Sequence, residues 1–294
     1  MHPLIQSLIA AGPVTTDGAW GTQLQARGLA LGEFPDLWNL THPDQVRDVA
    51  AAYIAAGSGV ILTNTFGANR VRLADLGQTG AVAEINRRGV ELSRQAANGG
   101  ARVFASIGPS GKLLLDGQIT TDELRQAFEE QANALAKAGA DALVIETMSD
   151  LDEATLAVAA ARSTALPIVA CMVFDTGKAR DRTMMGHTPE QAAETLTQAG
   201  AHVIGANCGQ GIAGFISICK RLRAATDLPI WIKPNAGLPT VINGQAHYSA
   251  TANEFAAYIP ALIDAGAQFI GGCCGTSPAF VAEIRRVCAQ QRSL

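Results

Sequence analysis

One pattern recurs four times in this chain and restricts what it can fold into. Ala56-Gly57-Ser58-Gly59-Val60-Ile61-Leu62-Thr63-Asn64-Thr65 is echoed by Ala138-Gly139-Ala140-Asp141-Ala142-Leu143-Val144-Ile145-Glu146-Thr147. It returns as Ala199-Gly200-Ala201-His202-Val203-Ile204-Gly205-Ala206-Asn207-Cys208, and again as Ala265-Gly266-Ala267-Gln268-Phe269-Ile270-Gly271-Gly272-Cys273-Cys274. Each copy reads as a helix end, a glycine stop, a short apolar run and then polar residues. A glycine just past a helix accepts the left-handed cap conformation. Short β-branched apolar runs suit strands buried on both faces, as in a parallel sheet. Similar runs at residues 13–16, 102–107, 167–174 and 228–233 bring the expected strands to eight.

The intervening segments carry helix starts. Thr188-Pro189-Glu190-Gln191 places an N-cap, a proline at the first helical position and a glutamine three residues after the cap. Thr251-Ala252-Asn253-Glu254 is a capping box, and Ser277-Pro278 opens the last helix in the same way. Strands alternating with helices over 294 residues predict an α/β fold, a (β/α)8 TIM barrel, with residues 1–294 forming one domain. A doubly wound open sheet is the alternative, but no G-x-G-x-x-G follows the first strand.

Composition narrows the function. At 48% hydrophobic and 16% charged the chain can bury a large core, and at 5% aromatic that core should be mostly Ala, Val, Leu and Ile. A net charge of −4 argues against nucleic acid or an anionic membrane as partner. Arg87-Arg88 and Arg285-Arg286 read as solvated helix faces. No apolar run nears the roughly 20 residues of a membrane span. Met1-His2-Pro3-Leu4-Ile5 has no basic n-region, so no secretory signal is expected. Six cysteines are too sparse for a disulfide scaffold, which points to a reducing, cytoplasmic setting.

In such barrels the chemistry sits where strands end at their C-termini. Here those ends carry Asp17, Thr63-Asn64-Thr65, Glu146-Thr147, Asp175, Asn207-Cys208, Asn235 and Cys273-Cys274. Cys171, Cys219 and Cys288 fall within a strand or helices and read as core filler. Cys208, Cys273 and Cys274 sit at the tips of the sixth and eighth strands, which flank the seventh. Adjacent side chains on a straight strand point to opposite faces. Gly271, Gly272 and Gly275 are therefore expected to bend the backbone so that both Cys273 and Cys274 reach one metal, with Gly209 and Gly211 acting likewise beside Cys208. Sulfur ligands favour Zn2+. Three protein ligands leave one position open, as in catalytic rather than structural zinc sites. His247, behind the turn-like Asn243-Gly244, is a poor candidate for a fourth ligand. A zinc held by three thiolates is suited to keeping a substrate thiol as its nucleophilic thiolate.

Together, Asp17-Gly18-Ala19-Trp20-Gly21-Thr22, Thr63-Asn64-Thr65-Phe66-Gly67-Ala68-Asn69, Glu146-Thr147, Asn207-Cys208-Gly209, Asn235-Ala236-Gly237 and Gly272-Cys273-Cys274-Gly275 resemble the homocysteine S-methyltransferase family over roughly residues 10 to 290. The family includes the homocysteine-binding module of methionine synthase and betaine–homocysteine methyltransferase. The resemblance implies that Cys208, Cys273 and Cys274 are zinc ligands and that Asp17 and Glu146 hold the amino-acid end of homocysteine. It also implies that Asn235 matches an asparagine able to take zinc's fourth position before substrate arrives.

Two departures stand out. Leu62 replaces an acid found in many relatives. Thr147 replaces a tyrosine of the betaine-using branch, which argues against betaine. The expected activity is zinc-dependent methyl transfer to homocysteine, forming methionine. The donor is a small molecule (S-methylmethionine, S-adenosylmethionine or a betaine) or a separate methylcorrinoid protein, which methyltetrahydrofolate could charge. No Asp-x-His-x-x-Gly corrinoid motif is present in this chain. The alternatives are another small thiol as acceptor, motivated by Leu62, and a non-catalytic zinc-binding barrel.

Overall fold

The computed structural model describes residues 1–242 and 245–291. Eight parallel strands form one sheet: β1 (Val14–Thr15), β2 (Val60–Ile61), β3 (Arg102–Ile107), β4 (Ala142–Met148), β5 (Ile168–Met172), β6 (Val203–Gly211), β7 (Ile230–Asn235) and β8 (Ala267–Ile270). They run in the order β1-β8-β7-β6-β5-β4-β3-β2, and a parallel bridge from Thr16 to Val60 joins the two edges. Helices lie between successive strands, so the fold is a (β/α)8 TIM barrel.

The fourfold echo has a concrete backbone cause. Gly57, Gly139, Gly200 and Gly266 take φ of 98°, 90°, 102° and 102°. A Cβ at such angles is strained, so only glycine turns each helix into its strand cheaply. Helix starts follow the sequence as well. Thr120, Thr188 and Thr251 form reciprocal capping boxes with Glu123, Gln191 and Glu254. The last helix, Pro278–Gln291, begins at the expected proline. Arg87 pairs with Glu84 and Glu91, and Arg286 with Glu283, on solvated helix faces.

The core differs from the compositional expectation in one place. Between the sheet and its helices it is mostly aliphatic, with Phe128, Phe215 and Phe255 among the buried residues, but the barrel interior is plugged by Phe104, Trp231 and Phe269, with ring centroids 6.1 and 5.3 Å apart along the stack. Eight inward-facing strands enclose a space that small aliphatics alone fill poorly, and a few large rings fill it. The N-terminal helix Pro3–Ile9 caps the barrel floor with the buried Ile5. After β7 an antiparallel hairpin, Thr240–Ile242 with Gln245–His247, rises from the barrel mouth. Asn243-Gly244, read from sequence as a turn, lies outside the described residues. No helix among the described residues is long and apolar enough to cross a membrane.

Candidate metal and substrate site

The mouth at the strand C-termini is shaped by two irregularities in the sheet. On β6, register passes from Asn207 opposite Lys233 to Gly211 opposite Asn235, so four residue steps on β6 span two on β7. Extra residues in one strand of a pair form a bulge that re-aims side chains. Inside this bulge Cys208 has φ 63° and Gly209 φ 72°. On β4, the three steps from Ile145 to Met148 span two on β5. This second bulge contains Glu146 and Thr147, and Thr147 has φ 62°. A β-branched residue in the left-handed region is strained. The Asn207 side chain holds it there, accepting from the Thr147 N–H at 2.8 Å and donating to its hydroxyl at 2.7 Å.

The third rim element continues β8. Gly272 N–H donates to the Asp17 carbonyl at 3.0 Å on one side, and Cys273 N–H donates to the Pro234 carbonyl at 2.7 Å on the other. Cys273 and Cys274 are thereby wedged between the ends of β1 and β7. The glycines here work differently from the sequence-based expectation. Of the three around the pair only Gly275, at φ 81°, needs the left-handed region. Gly271 and Gly272 are required by crowding: a Cβ on Gly271 would lie 2.0 Å from Thr16 Oγ1, and one on Gly272 2.4 Å from Thr276 Oγ1. Gly211 likewise has an ordinary φ of −74°.

The result is a cluster in which the sulfurs of Cys208, Cys273 and Cys274 all lie within 4.8 Å of one another, Cys208 and Cys274 at 4.0 Å. Thiolates at about 2.3 Å around a tetrahedral zinc stand roughly 3.8 Å apart, so the donor set fits such an ion. With the thiols sharing protons, hydrogen bonds from Cys273 and Cys274 push Cys208 down to about 3, and the same sharing drives Cys273 up and Cys274 up to about 12. The Asn235 amide lies beside Cys208 and helps to hold its thiol down. Its Oδ1, on a residue only 5% exposed, has no partner among the described residues. A buried carbonyl oxygen left without a donor is costly, and a cation beside the three sulfurs would satisfy it. Tyr248 lies beside Cys274, and its ring packs where a Gly275 Cβ would be.

Opposite the sulfurs stands Glu146, 7% exposed. Ser106 Oγ donates to its Oε1 at 2.5 Å, and Asn207 Nδ2 approaches Oε2 at 3.3 Å. Burial pushes this carboxyl up, against the pull of Lys233 and Ser106. Asp17 is placed deeper. It is fully buried, ion-paired through Oδ1 to Lys233 Nζ, and its Oδ2 accepts from Trp20 Nε1 and from the Leu62 N–H, each at 2.8 Å. Lys233 is itself 2% exposed; burial alone would lower it, but Asp17 and Glu146 hold it above the ordinary lysine range.

Of the residues singled out by sequence, the three cysteines, Asn235 and Glu146 meet at the mouth, and Asp17 lies beneath them. His247 is exposed on the hairpin and outside the sulfur cluster. Cys171, Cys219 and Cys288 are buried in the core. Sequence reasoning passed over Lys233, Ser106 and Tyr248, and it placed Asn207 at a strand end without giving it a role of its own. Lys233 had a signal, a lysine at the end of the apolar run Ile230-Trp231-Ile232, where a strand buried on both faces offers it no water.

A closed parallel barrel with three thiols gathered on one rim of its mouth defines a (β/α)8 protein with a candidate thiolate metal centre. The chain belongs to the homocysteine S-methyltransferase family, whose model matches residues 14–288. Methionine synthase of Mycobacterium tuberculosis is 30% identical over 287 residues, which are 91% of this chain and 24% of that protein. Methionine synthase of Mycobacterium leprae is 30% identical over 290 residues, 93% of this chain and 24% of that protein. The chain therefore spans about a quarter of the length of these relatives. The metallated form of the homocysteine methyltransferase MmuM from Escherichia coli shares the fold at TM-score 0.80 and 24% identity, over 96% of this chain and 99% of that one. Its apo form does so at 0.75 and 22%.

Proposed function

We propose that this chain transfers a methyl group to the thiol of homocysteine, forming methionine, and that Cys208, Cys273 and Cys274 hold the Zn2+ on which this depends. The observation that carries the reading is the convergence of three sulfurs within 4.8 Å beside a carboxylate-walled mouth, in a chain of this family. Zinc bound there supplies the acidity that keeps a substrate thiol deprotonated at neutral pH. The protein's own groups do the rest. Asn235 lies beside Cys208, and its buried Oδ1 has no partner among the described residues. Glu146 and Asp17 give the mouth the negative field that suits the amino end of an amino-acid thiol. The Thr147–Asn207 bracket fixes Glu146 relative to the sulfurs. In the transfer, the homocysteine sulfur forms a bond to the methyl carbon as the donor's bond to that carbon breaks. The bonding pair leaves with the donor, and the thiol proton is lost to solvent.

The donor is a methylated small molecule or a methylcorrinoid on a separate protein. We read residues 1–294 as one catalytic module working in the cytoplasm.

The test is methionine formation from homocysteine with each donor class in turn, on protein of measured zinc content. Zinc near one per chain and turnover with one donor class are expected. Cys273→Ser should lower both zinc content and turnover by at least about tenfold, because a site left with two thiolates binds zinc poorly. Zinc-loaded protein that methylates other thiols but never homocysteine would overturn the choice of acceptor. A Cys273→Ser protein with full activity would overturn the role of the cluster.

A further inference from the structure

A cleft of about 380 Å³ opens between the ends of β6 and β7, within the size range of small-molecule sites. Asn235 connects it to the sulfur cluster, since it lies beside Cys208 and also lines the cleft. The walls are apolar, built from Ile212, Leu238, Phe255 and Tyr258. Two polar groups of the lining lack partners, and their preferences are opposite. Asn235 Oδ1 is a buried acceptor with no partner among the described residues, and it favours a positive group. Arg180, on the exposed turn after β5, makes no ion pair among the described residues, whereas Arg182 and Arg221 both pair with Asp181. The chain fixes Arg180 from the site side. Gln210, two residues beyond Cys208, donates from Nε2 to the Arg180 carbonyl at 2.9 Å. Gln210 lies across Gly214, where a Cβ would stand 2.3 Å from its Oε1. Arg180 thus shares the cleft with the start of the helix Ile212–Ala225, whose N-cap Gly211 makes no side-chain cap bond. A guanidinium and a helix start both favour an anion. Glu254, the one acid on the lining, is taken up by its own helix cap: its Oε2 accepts from Thr251 N–H and Oγ1, each at 2.8 Å.

We propose that this cleft seats the methyl donor, a small zwitterion whose onium centre (a sulfonium or a quaternary ammonium) lies at Asn235 and whose carboxylate is held by Arg180. The apolar walls take the carbon skeleton between the two charges. In the transfer the acceptor sulfur forms the new bond to the methyl carbon. The bond from that carbon to the onium atom breaks, and its electron pair returns to the onium atom, which leaves uncharged. The attraction at Asn235 Oδ1 is then lost while the carboxylate stays on Arg180, so the spent donor is held at one end only. Donor and acceptor are recognised by different parts of the mouth: the donor over the ends of β6 and β7, the acceptor against Glu146 on β4. Arg180 sits on a loop, so this donor preference is carried outside the barrel's core.

The inference rests on the reading of the mouth as a methyl-transfer site, and its test separates the two. Calorimetric binding to zinc-loaded protein, without acceptor, would compare S-methylmethionine with its amide and glycine betaine with its amide. Each pair differs by the carboxylate alone, and the pair that binds names the onium. Wild type should bind the acid of that pair at least about tenfold more tightly than the amide, the scale of a hydrogen bond between charged groups. Arg180→Met should bring the ratio to within about threefold of unity, and Arg180→Lys should restore part of it. Zinc content and homocysteine affinity should be unchanged in both. In steady state Arg180→Met should raise KM for the donor and leave kcat within about threefold, as loss of uniform binding does. A ratio near one in wild type, or an undiminished ratio in Arg180→Met, would overturn the assignment. Methyl transfer to homocysteine from a methylcorrinoid protein, by a chain that binds no onium donor, would also overturn it while leaving the homocysteine reading intact. Donor binding with the expected ratio but no methylation of homocysteine would refute that reading and keep the cleft.

Discussion

Asp36 shows how much one residue's environment outweighs its type. It lies in the long segment after β1, almost fully buried, and accepts from Gly67 N–H at 2.9 Å. Burial pushes its carboxyl up to about 7 from an ordinary 3.8. Between those values the folded chain holds a proton that the unfolded chain has released, so the stability this group contributes is present at low pH and lost as pH rises toward about 7. The slope is at most about 1.4 kcal/mol per pH unit. Asp36→Asn keeps the acceptor for Gly67 and removes the proton. Its unfolding free energy in urea should gain on wild type progressively from pH 4 to pH 8. Parallel curves across that range would contradict the assignment. Nothing in the local sequence Phe34-Pro35-Asp36-Leu37 announces this burial. The cysteines were legible because they end apolar runs next to glycine, and Glu146 because it ends an apolar run. Lys233 was hidden because its meaning depends on Asp17, 216 residues away.

Among the elements, helix boundaries were the most readable part of the chain because caps are local chemistry. Thr188 accepts from Gln191 N–H at 3.2 Å, and Gln191 accepts in return from Thr188 N–H at 2.9 Å. Thr188→Ala should cost about 1 kcal/mol in chemical denaturation and leave metal content unchanged, since the helix Pro189–Ala199 contributes no site residue. A loss of metal from this variant would mean that the cap communicates with the β6 rim. Strand irregularities were not readable. The bulges on β4 and β6 depend on how much neighbouring strand each must span, and pairing partners are set by the closed sheet. Glycines beside the cysteines suggested flexible backbone, but Gly271 and Gly272 turn out to serve close packing against Thr16 and Thr276. The same residue type answers two different constraints, and only the neighbours distinguish them.

For the whole molecule, a metal bound by residues from β6 and the β8 rim ties together strands separated by β7. An ion that binds the folded state and not the unfolded one stabilises it by about 2.7 kcal/mol at a hundred times its dissociation constant. A strong chelator should therefore lower the melting temperature of wild type and leave Cys273→Ser unmoved. Equal shifts in both would place the stabilising ion elsewhere. The sequence alone determined the barrel, because its repeated glycine stops and apolar runs are local requirements of each helix-to-strand turn, met four times over at Gly57, Gly139, Gly200 and Gly266. It also placed the three cysteines and Glu146 at strand ends, since position along a strand follows from one-dimensional pattern. Only the tertiary structure decided which side chains face one another across the mouth. It closed the barrel at Thr16 and Val60, bent β4 and β6 by bulges, and set Lys233 on Asp17 rather than Glu146. Those outcomes are set by contacts between residues distant in the chain, through packing and the desolvation of buried charge.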